Sequence, residues 1–434
     1  MNIIKVWFYL SITVVLTNLA WADSEIDSLR TEIQRLTQRL EQIEAQRATE
    51  ITHRVENQEN AAAEPKKISR LEETLEGVSV DASLIMVAQK VQGLSMSGTS
   101  QLNTRADVAI KLPGGSIGSA TGKIFTHFRA GDGNGINTNA FMTSNATVFN
   151  NAAQPVLVQA WYQLDIPLTG EFGRIEMTVG KIDLGNFFDG NKIADDESEG
   201  YLNVAFVHNP LLDVGDFGNG EHDTTPGIRL GYISDINKSN HVTISAGIFG
   251  AGNGASYNNS FHKPYAIAQL EYAGNIFSGM DGTYRIYTWN NAQADDRTNI
   301  NNNDGHVTQE SHRGWGISLD QEILDHVTLF ARYGHSIHGH MNFDRAFTLG
   351  GQVAGAHWGR ENDRVGLAYG ELKTSNVYKN AGIGSGNEKI HELFYALQVN
   401  EHLQIMPSIQ HIINPSGTHG DDLTVYAMRA KAVF

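Results

Sequence analysis

Between Asn186 and Asn209 the sequence gathers acids, amides and aromatic rings, with Asp189, Asn191, Asp195, Asp196, Glu197, Tyr201 and Asn203 in one stretch of loop-like composition. These groups carry charge and make hydrogen bonds, but no nucleophile is set beside a base. Their chemistry is recognition, although acids in such a run could equally bind a divalent cation or simply face water. No Gly-x-Ser-x-Gly elbow and no His-Glu-x-x-His pair occurs anywhere in the chain. The absence of Cys removes thiol catalysis, disulfides and thiolate metal sites together. His335, His338 and His340 could meet a metal on one strand-end turn, with a plain exposed loop as the simpler account. Asp295 to Gly305 fails the calcium-loop pattern, because Ile300 and Asn302 stand where carboxylates are required. Gly131-Asp132-Gly133-Asn134-Gly135 lacks the strand-then-helix setting of a phosphate loop. The expectation is a non-enzyme with no cofactor, no catalytic residue and no metal.

The elements that must hold this loop come from the rest of the 434 residues, 41% hydrophobic and 18% charged, with 44 Gly. The charge fraction is below the roughly 25% of soluble domains. A net charge of -16 argues against nucleic acid as a partner. Residues 1–22 read as a signal peptide: Lys5, an apolar run from Val6 to Leu19, then Ala20-Trp21-Ala22. No later stretch reaches 18 consecutive apolar residues, which leaves either a soluble secreted protein or a β-barrel.

From Ser24, the apolar residues Ile26, Leu29, Ile33, Leu36, Leu40 and Ile43 fall at alternating spacings of 3 and 4. This is a coiled-coil seam, and residues 23–63 are expected to be a short helix that holds an oligomer; a lone helix packed on the next domain is the alternative. Residues 64–77 read as a linker, and 78–434 as the main domain.

In that domain the apolar period drops to two. Leu102, Thr104, Ala106, Val108, Ile110 and Leu112 alternate with Asn103, Arg105, Asp107 and Lys111, and the pattern returns through Val156 to Ile166, Val242 to Ile248, Val327 to Tyr333 and Leu393 to Val399. Periodicity alone does not separate a sandwich from a barrel. Punctuation does, since long inserts such as Gly131 to Ala153 and Asn290 to Gly305 alternate with tight turns such as Ser234 to Asn240. The fold class expected is therefore all-β, a transmembrane antiparallel β-barrel of about 16 strands preceded by a short periplasmic coiled-coil helix. Val158, Tyr162, Leu230, Ile244, Leu329 and Leu397 are expected to face lipid. The chain ends in phase on Tyr426, Met428, Ala430, Ala432 and Phe434. Such an aromatic end is commonly how barrels are handed to the barrel-assembly machinery.

Three stretches then resemble the OprB-type carbohydrate-selective porins: Gly180 to Glu197 with Tyr201 to Pro210, Gly350 to Gln352 with Trp358 to Tyr369, and Met406 to Pro415. The resemblance covers about Gly77 to Phe434, with one departure, Ser198-Glu199-Gly200 where the family tends to have uncharged Thr and Gln. It implies a trimeric, 16-stranded passive channel in the outer membrane of a Gram-negative bacterium, among lipid and lipopolysaccharide, passing small hydrophilic solutes such as sugars. A helix ahead of such a barrel would lie in the periplasm. In a channel, the Asn186 to Asn209 loop could fold inward as the constriction, because a pore selects where side chains replace lost water. Arg105, Arg129, Arg174, Arg229, Arg285, Arg332, Arg360 and Arg364 would face it from the wall, with Lys123 and His127, or merely fill the lumen in balanced pairs. Trp161, Tyr287 and Trp289 share the inward phase and could stack on sugar faces, or equally form rim girdles or simply pack. A non-conducting barrel serving as an adhesin or structural anchor is the alternative.

Overall fold

Strands of this composition cannot leave their backbone groups unpaired in lipid, and closing the sheet on itself satisfies every edge. The structure, a computed structural model, describes residues 77–93, 100–133, 136, 155–168, 173–214, 224–237, 239–277, 279–298, 308–418 and 420–434, with Gln38 alone among the earlier ones. The signal segment 1–22, the rest of the coiled-coil stretch 23–63 and residues 64–76 of the linker lie outside the described residues.

Sixteen antiparallel strands form one closed barrel. In chain order they are β1 (Ser79–Gln92), β2 (Ser100–Ile117), β3 (Ala120–Asp132), β4 (Val156–Pro167), β5 (Arg174–Asp183), β6 (Thr224–Asn237), β7 (Asn240–Phe249) and β8 (Tyr265–Phe277). There follow β9 (Met280–Asp295), β10 (Gln309–Leu324), β11 (Val327–His338), β12 (Phe343–Ala354), β13 (Arg364–Thr374), β14 (Glu388–Gln398), β15 (Leu403–Ile413) and β16 (Leu423–Val433). Each strand pairs with its chain neighbours, and β1 closes on β16 with Leu84 opposite Ala432 and Met86 opposite Ala430. The Phe434 amide donates to the Ala82 carbonyl at 3.0 Å, so the last residue is tied to the seam while its ring stays exposed.

The alternation seen in sequence becomes two faces. Leu84, Met177, Leu230, Ile244, Leu270, Ile286, Leu329 and Leu393 are exposed on the outside, as residues that meet lipid must be, while their neighbours in sequence turn inward. One expected lipid-facing residue is misplaced: Val158 is buried and Leu157 takes the outward position. A register shift between His127 and Phe128 on β3 puts an extra β4 residue between Leu157 and Gln159, and such a bulge turns the phase over. β9 also runs to Asp295, so the insert expected from Asn290 begins later. The connections after even-numbered strands are mostly tight, as at 118–119, 238–239 and 325–326. Those after odd-numbered strands include 133–155, 184–223 and 296–308, so long and short connections sit on opposite rims.

Candidate pore constriction

The connection after β5 follows the Asp183 side chain, which accepts the Gly185 amide and starts a single 3-10 turn at Leu184–Asn186. Short helices at Val204–Val207 and Pro210–Val214 complete it. Phe188, Tyr201, Leu202, Phe206, Leu211 and Leu212 are buried in one cluster with the inward-facing wall rings Phe249, Tyr265, Tyr287, Trp289, Phe330 and Phe394. The loop is thus folded into the lumen, because its apolar face has the wall as a surface to cover. Gly314 and Gly316 on β10 make room for this bed: a Cβ there would meet the rings of Trp289 and Tyr287 at 2.3 and 2.5 Å.

Polar contacts fix the loop strand by strand. Asp189 is fully buried; its carboxylate accepts the Tyr287 hydroxyl at 2.8 Å and pairs with Arg332 at 3.2 Å, and its amide donates to Gln269 at 2.9 Å. Arg332 also donates to the carbonyls of Asp189 at 3.0 Å and Phe206 at 2.8 Å. These bonds hold Asp189 in the left-handed region at φ 57°, which an Asp side chain tolerates better than most. The Asn191 amide donates to the Leu319 carbonyl at 3.1 Å. The Tyr201 hydroxyl donates to the carbonyls of Gly351 at 2.8 Å and Leu367 at 3.1 Å. Asn203 caps the Val204–Val207 turn and donates to Gln410 at 3.0 Å. Glu392 on β14 accepts the amides of Leu202 and Asn203 at 2.8 and 2.9 Å, and Arg429 on β16 donates to the Gly200 carbonyl at 3.1 Å.

The expected site residues therefore part company. Asp189, Asn191, Tyr201 and Asn203 dock the loop, as does Arg332; Arg285 bridges the wall acids Glu271 at 2.6 Å and Asp320 at 3.1 Å, and Asp320 in turn accepts the Lys192 amide of the loop at 3.3 Å. Tyr287 and Trp289 are buried in the same bed and offer no free ring face. Arg360 is not on the wall: it lies in the turn between β12 and β13, paired with Asp363. Arg364, at the start of β13, donates to the Glu199 carbonyl at 3.1 Å. His335, His338 and His340 do not converge. His335 stacks edge-on with Trp315, whereas His340 pairs with Glu310 at 2.9 Å, and that carboxylate raises the His340 imidazole above its ordinary range.

What remains toward open lumen is the loop edge at Asp195, Asp196 and Glu197, together with the wall of β2 and β3. Glu197 accepts Arg105 at 2.7 Å, and Asp107 accepts Arg105, Arg129 and His127 at 2.6, 2.6 and 2.8 Å. Burial would push the Glu197 carboxyl up, but Arg105 and Arg129 outweigh it and hold it at about 2. Asp195 is the reverse. Burial pushes its carboxyl up to about 8 although Arg332 stands 3.7 Å away, and its Oδ1 has no hydrogen-bond partner. The Asp195 carboxyl therefore gains its charge at higher pH than a free carboxyl does. The cation-to-anion permeability ratio, read from reversal potentials, should climb between pH 7 and pH 9 and stay flat in D195N; an equal climb in the variant would assign the titration elsewhere.

Beside the paired charges lies an aromatic shelf that the sequence did not single out as a unit. Phe125 stacks on Trp161 with centroids 4.9 Å apart, Trp161 meets the edge of Phe187 at 5.7 Å, and Arg229 sits 4.8 Å over Phe187. Gln159 accepts from Trp161 at 3.3 Å and from Asn186 at 3.0 Å. A cavity of about 320 Å³ continues from it, lined by Arg174, Glu176, Arg229 and Glu271 among others. The inward phase of Phe125 and Trp161 was legible; Phe187, on the loop, had no periodicity to place it.

Residues 115–434 match the OprB family of carbohydrate-selective porins. The chain belongs to that family. The closed 16-stranded barrel is the porin fold. No curated protein sequence matches the chain. Among solved structures, Pseudomonas putida OprB at high pH superposes on this porin with a TM-score of 0.65 at 18% identity, over 84% of this chain and 96% of that one. A loop-deletion mutant of OmpT, an outer membrane protein of Vibrio cholerae, gives a TM-score of 0.51 at 10% identity, over 82% of this chain and 99% of that one. At these identities the likeness concerns the fold.

Proposed function

We propose that this carbohydrate-selective porin passes small neutral polyhydroxylated solutes along the Phe125, Trp161 and Phe187 shelf. One face of a sugar ring rests on the aromatic carbons while its hydroxyls exchange water for Glu197, Arg105, Arg129, Gln159 and Asn186. The observation that carries this reading is the stacked Phe125 and Trp161 pair beside fully paired charges. Balanced pairs offer donors and acceptors in fixed positions without a strong net field, which suits an uncharged polyol better than an ion. Bulk ions are sorted by the acids at the loop edge. Residence in the outer membrane as a homotrimer, delivery to the assembly machinery through Phe434 and a periplasmic place for the N-terminal segment belong to the same proposal.

Currents across planar bilayers test it. The purified protein should conduct, glucose should reduce the ion current in a saturable manner, and W161A should weaken that block about fivefold, the worth of roughly 1 kcal/mol of ring contact. Absence of current would favour a non-conducting anchor or adhesin. Block unchanged in W161A would remove the shelf from the path.

A further inference from the structure

Sequence spacing groups His340 with His335 and His338, but the fold gives it other neighbours. At the rim of the long connections, Asp296 directly follows β9, Glu310 is the second residue of β10, and His340 lies in the connection between β11 and β12. Backbone bonds join these segments: the Asp296 amide donates to the Thr308 carbonyl at 2.8 Å, and the Arg297 amide to the His340 carbonyl at 2.8 Å. The His340 amide donates to the Glu310 carboxylate. Gly339, at φ 117°, lets the chain pass this closely, since a Cβ there would meet the His312 ring at 2.1 Å.

Each carboxylate has one oxygen tied and the other turned to His340. Asp296 Oδ1 accepts the Thr298 amide at 2.9 Å and its hydroxyl at 2.7 Å; Glu310 Oε1 accepts the His340 amide and lies 2.9 Å from His312 Nε2. The remaining oxygens, Asp296 Oδ2 and Glu310 Oε2, stand 3.9 and 2.9 Å from His340 Nδ1, and the three atoms lie within 4.8 Å of one another. A proton on Nδ1 reaches Glu310; among the described residues Asp296 Oδ2 has no donor within hydrogen-bond distance. His312 supplies a second, independent sign. It is 1% exposed, aims Nε2 at Glu310 and has no hydrogen-bond partner at Nδ1, so its ring proton sits on Nε2 and donates to the carboxylate. A buried imidazole with one idle nitrogen adds little to stability. What it does is fix the orientation of Glu310, the part played by donors behind metal-ligating carboxylates.

We propose that Asp296, Glu310 and His340 bind one borderline divalent transition ion, with Zn2+ as its representative, and that His312 positions Glu310 for it. Ligand bonds of about 2.1 Å in a tetrahedral array set donor atoms about 3.4 Å apart. The separations of 2.9 and 3.9 Å from Nδ1 straddle that value, so small side-chain movements close the site. Two carboxylates balance the charge of the dication, and an imidazole nitrogen among them favours such an ion over Ca2+ or Mg2+, which prefer shells of oxygen. Three protein ligands leave a position open to water, and the Nδ1 proton leaves to solvent as the ion binds. Arg297 is near enough to act on His312 and opposes the cation, which makes the affinity moderate rather than tight. A bound ion would draw the ends of β9, β10 and β11 together at the rim, whatever crosses the pore.

The test titrates the purified protein in detergent with ZnCl2 by calorimetry, beside E310Q/H340Q and H312Q, and repeats each titration with CaCl2. Heat-resistant mobility in detergent reports that each variant is folded. The native protein is expected to bind one more Zn2+ per chain than E310Q/H340Q does, and to prefer Zn2+ to Ca2+ there by at least about 100-fold. H312Q should keep that ion but hold it about 10- to 100-fold more weakly. Co2+ in its place should give a visible spectrum in the native protein that H312Q alters and E310Q/H340Q abolishes. Equal Zn2+ stoichiometry in the native protein and E310Q/H340Q overturns the site, and so does Ca2+ bound as tightly as Zn2+. Unchanged affinity and spectrum in H312Q overturn the role of His312. Conductance plays no part in these readouts, so their outcome is separate from that of the pore reading.

Discussion

D189A should release the inward-folded loop 184–214 from the wall while leaving the barrel closed. The side chain it removes is buried against Arg332, itself 1% exposed, and takes the Tyr287 hydroxyl as well. Truncating one member of a buried pair leaves the other charge uncompensated, at a cost of about 3–5 kcal/mol. The barrel ladder does not pass through Asp189, so the loss falls on the docking of 184–214. Single-channel conductance should rise, the loop should become open to proteases, and the heat-resistant mobility of the barrel in detergent should persist. R332M in the same chain should recover a large part of the loss, because two apolar neighbours need no counter-charge. Unchanged conductance and protease resistance in D189A would mean that the apolar cluster around Tyr201 and Phe206 holds the loop unaided.

The second large effect lies on the outer surface. I244R places a guanidinium in hydrocarbon, where the lipid-facing side chain is now 53% exposed on the barrel, and should cost about 2–4 kcal/mol near mid-membrane. T243R, one residue away, points into the cavity beside Glu176 and Glu271 and should cost little. Denaturant titrations of folding into lipid vesicles give both numbers. Equal losses at the two positions would mean that the inside and outside of β7 had been exchanged.

Much of this architecture is present in the order of residues. A period of two commits each strand to one apolar face, long and short connections separate the rims, and strand number follows from how often the pattern restarts. Leu230, Ile244 and Leu329 could be assigned outward without coordinates, because lipid imposes one chemical demand on every position of that face. The charged residues alternating with them were correspondingly inward. Glu392 and Arg429 were legible in that sense, each standing next to an outward-facing residue, Leu393 and Met428, although nothing local says that they hold the loop.

The sequence by itself determined a closed β-barrel, the face of nearly every strand, family membership over residues 115–434 and a loop rich in acids, amides and rings. Tertiary structure alone decided which of those groups meet the pore. Asp189 and Arg332 are 143 residues apart, and whether they neutralise each other depends on where the loop comes to rest across the lumen. The same holds for Tyr201 with the Gly351 and Leu367 carbonyls, 150 and 166 residues away. Val158 shows the limit on the strands themselves, since a single extra residue in β4 reverses the phase and is set by pairing with β3. Periodicity fixes the side of the wall on which a residue sits; coverage by a segment folded back through the lumen fixes whether it is exposed there, and that depends on packing between residues far apart in the chain.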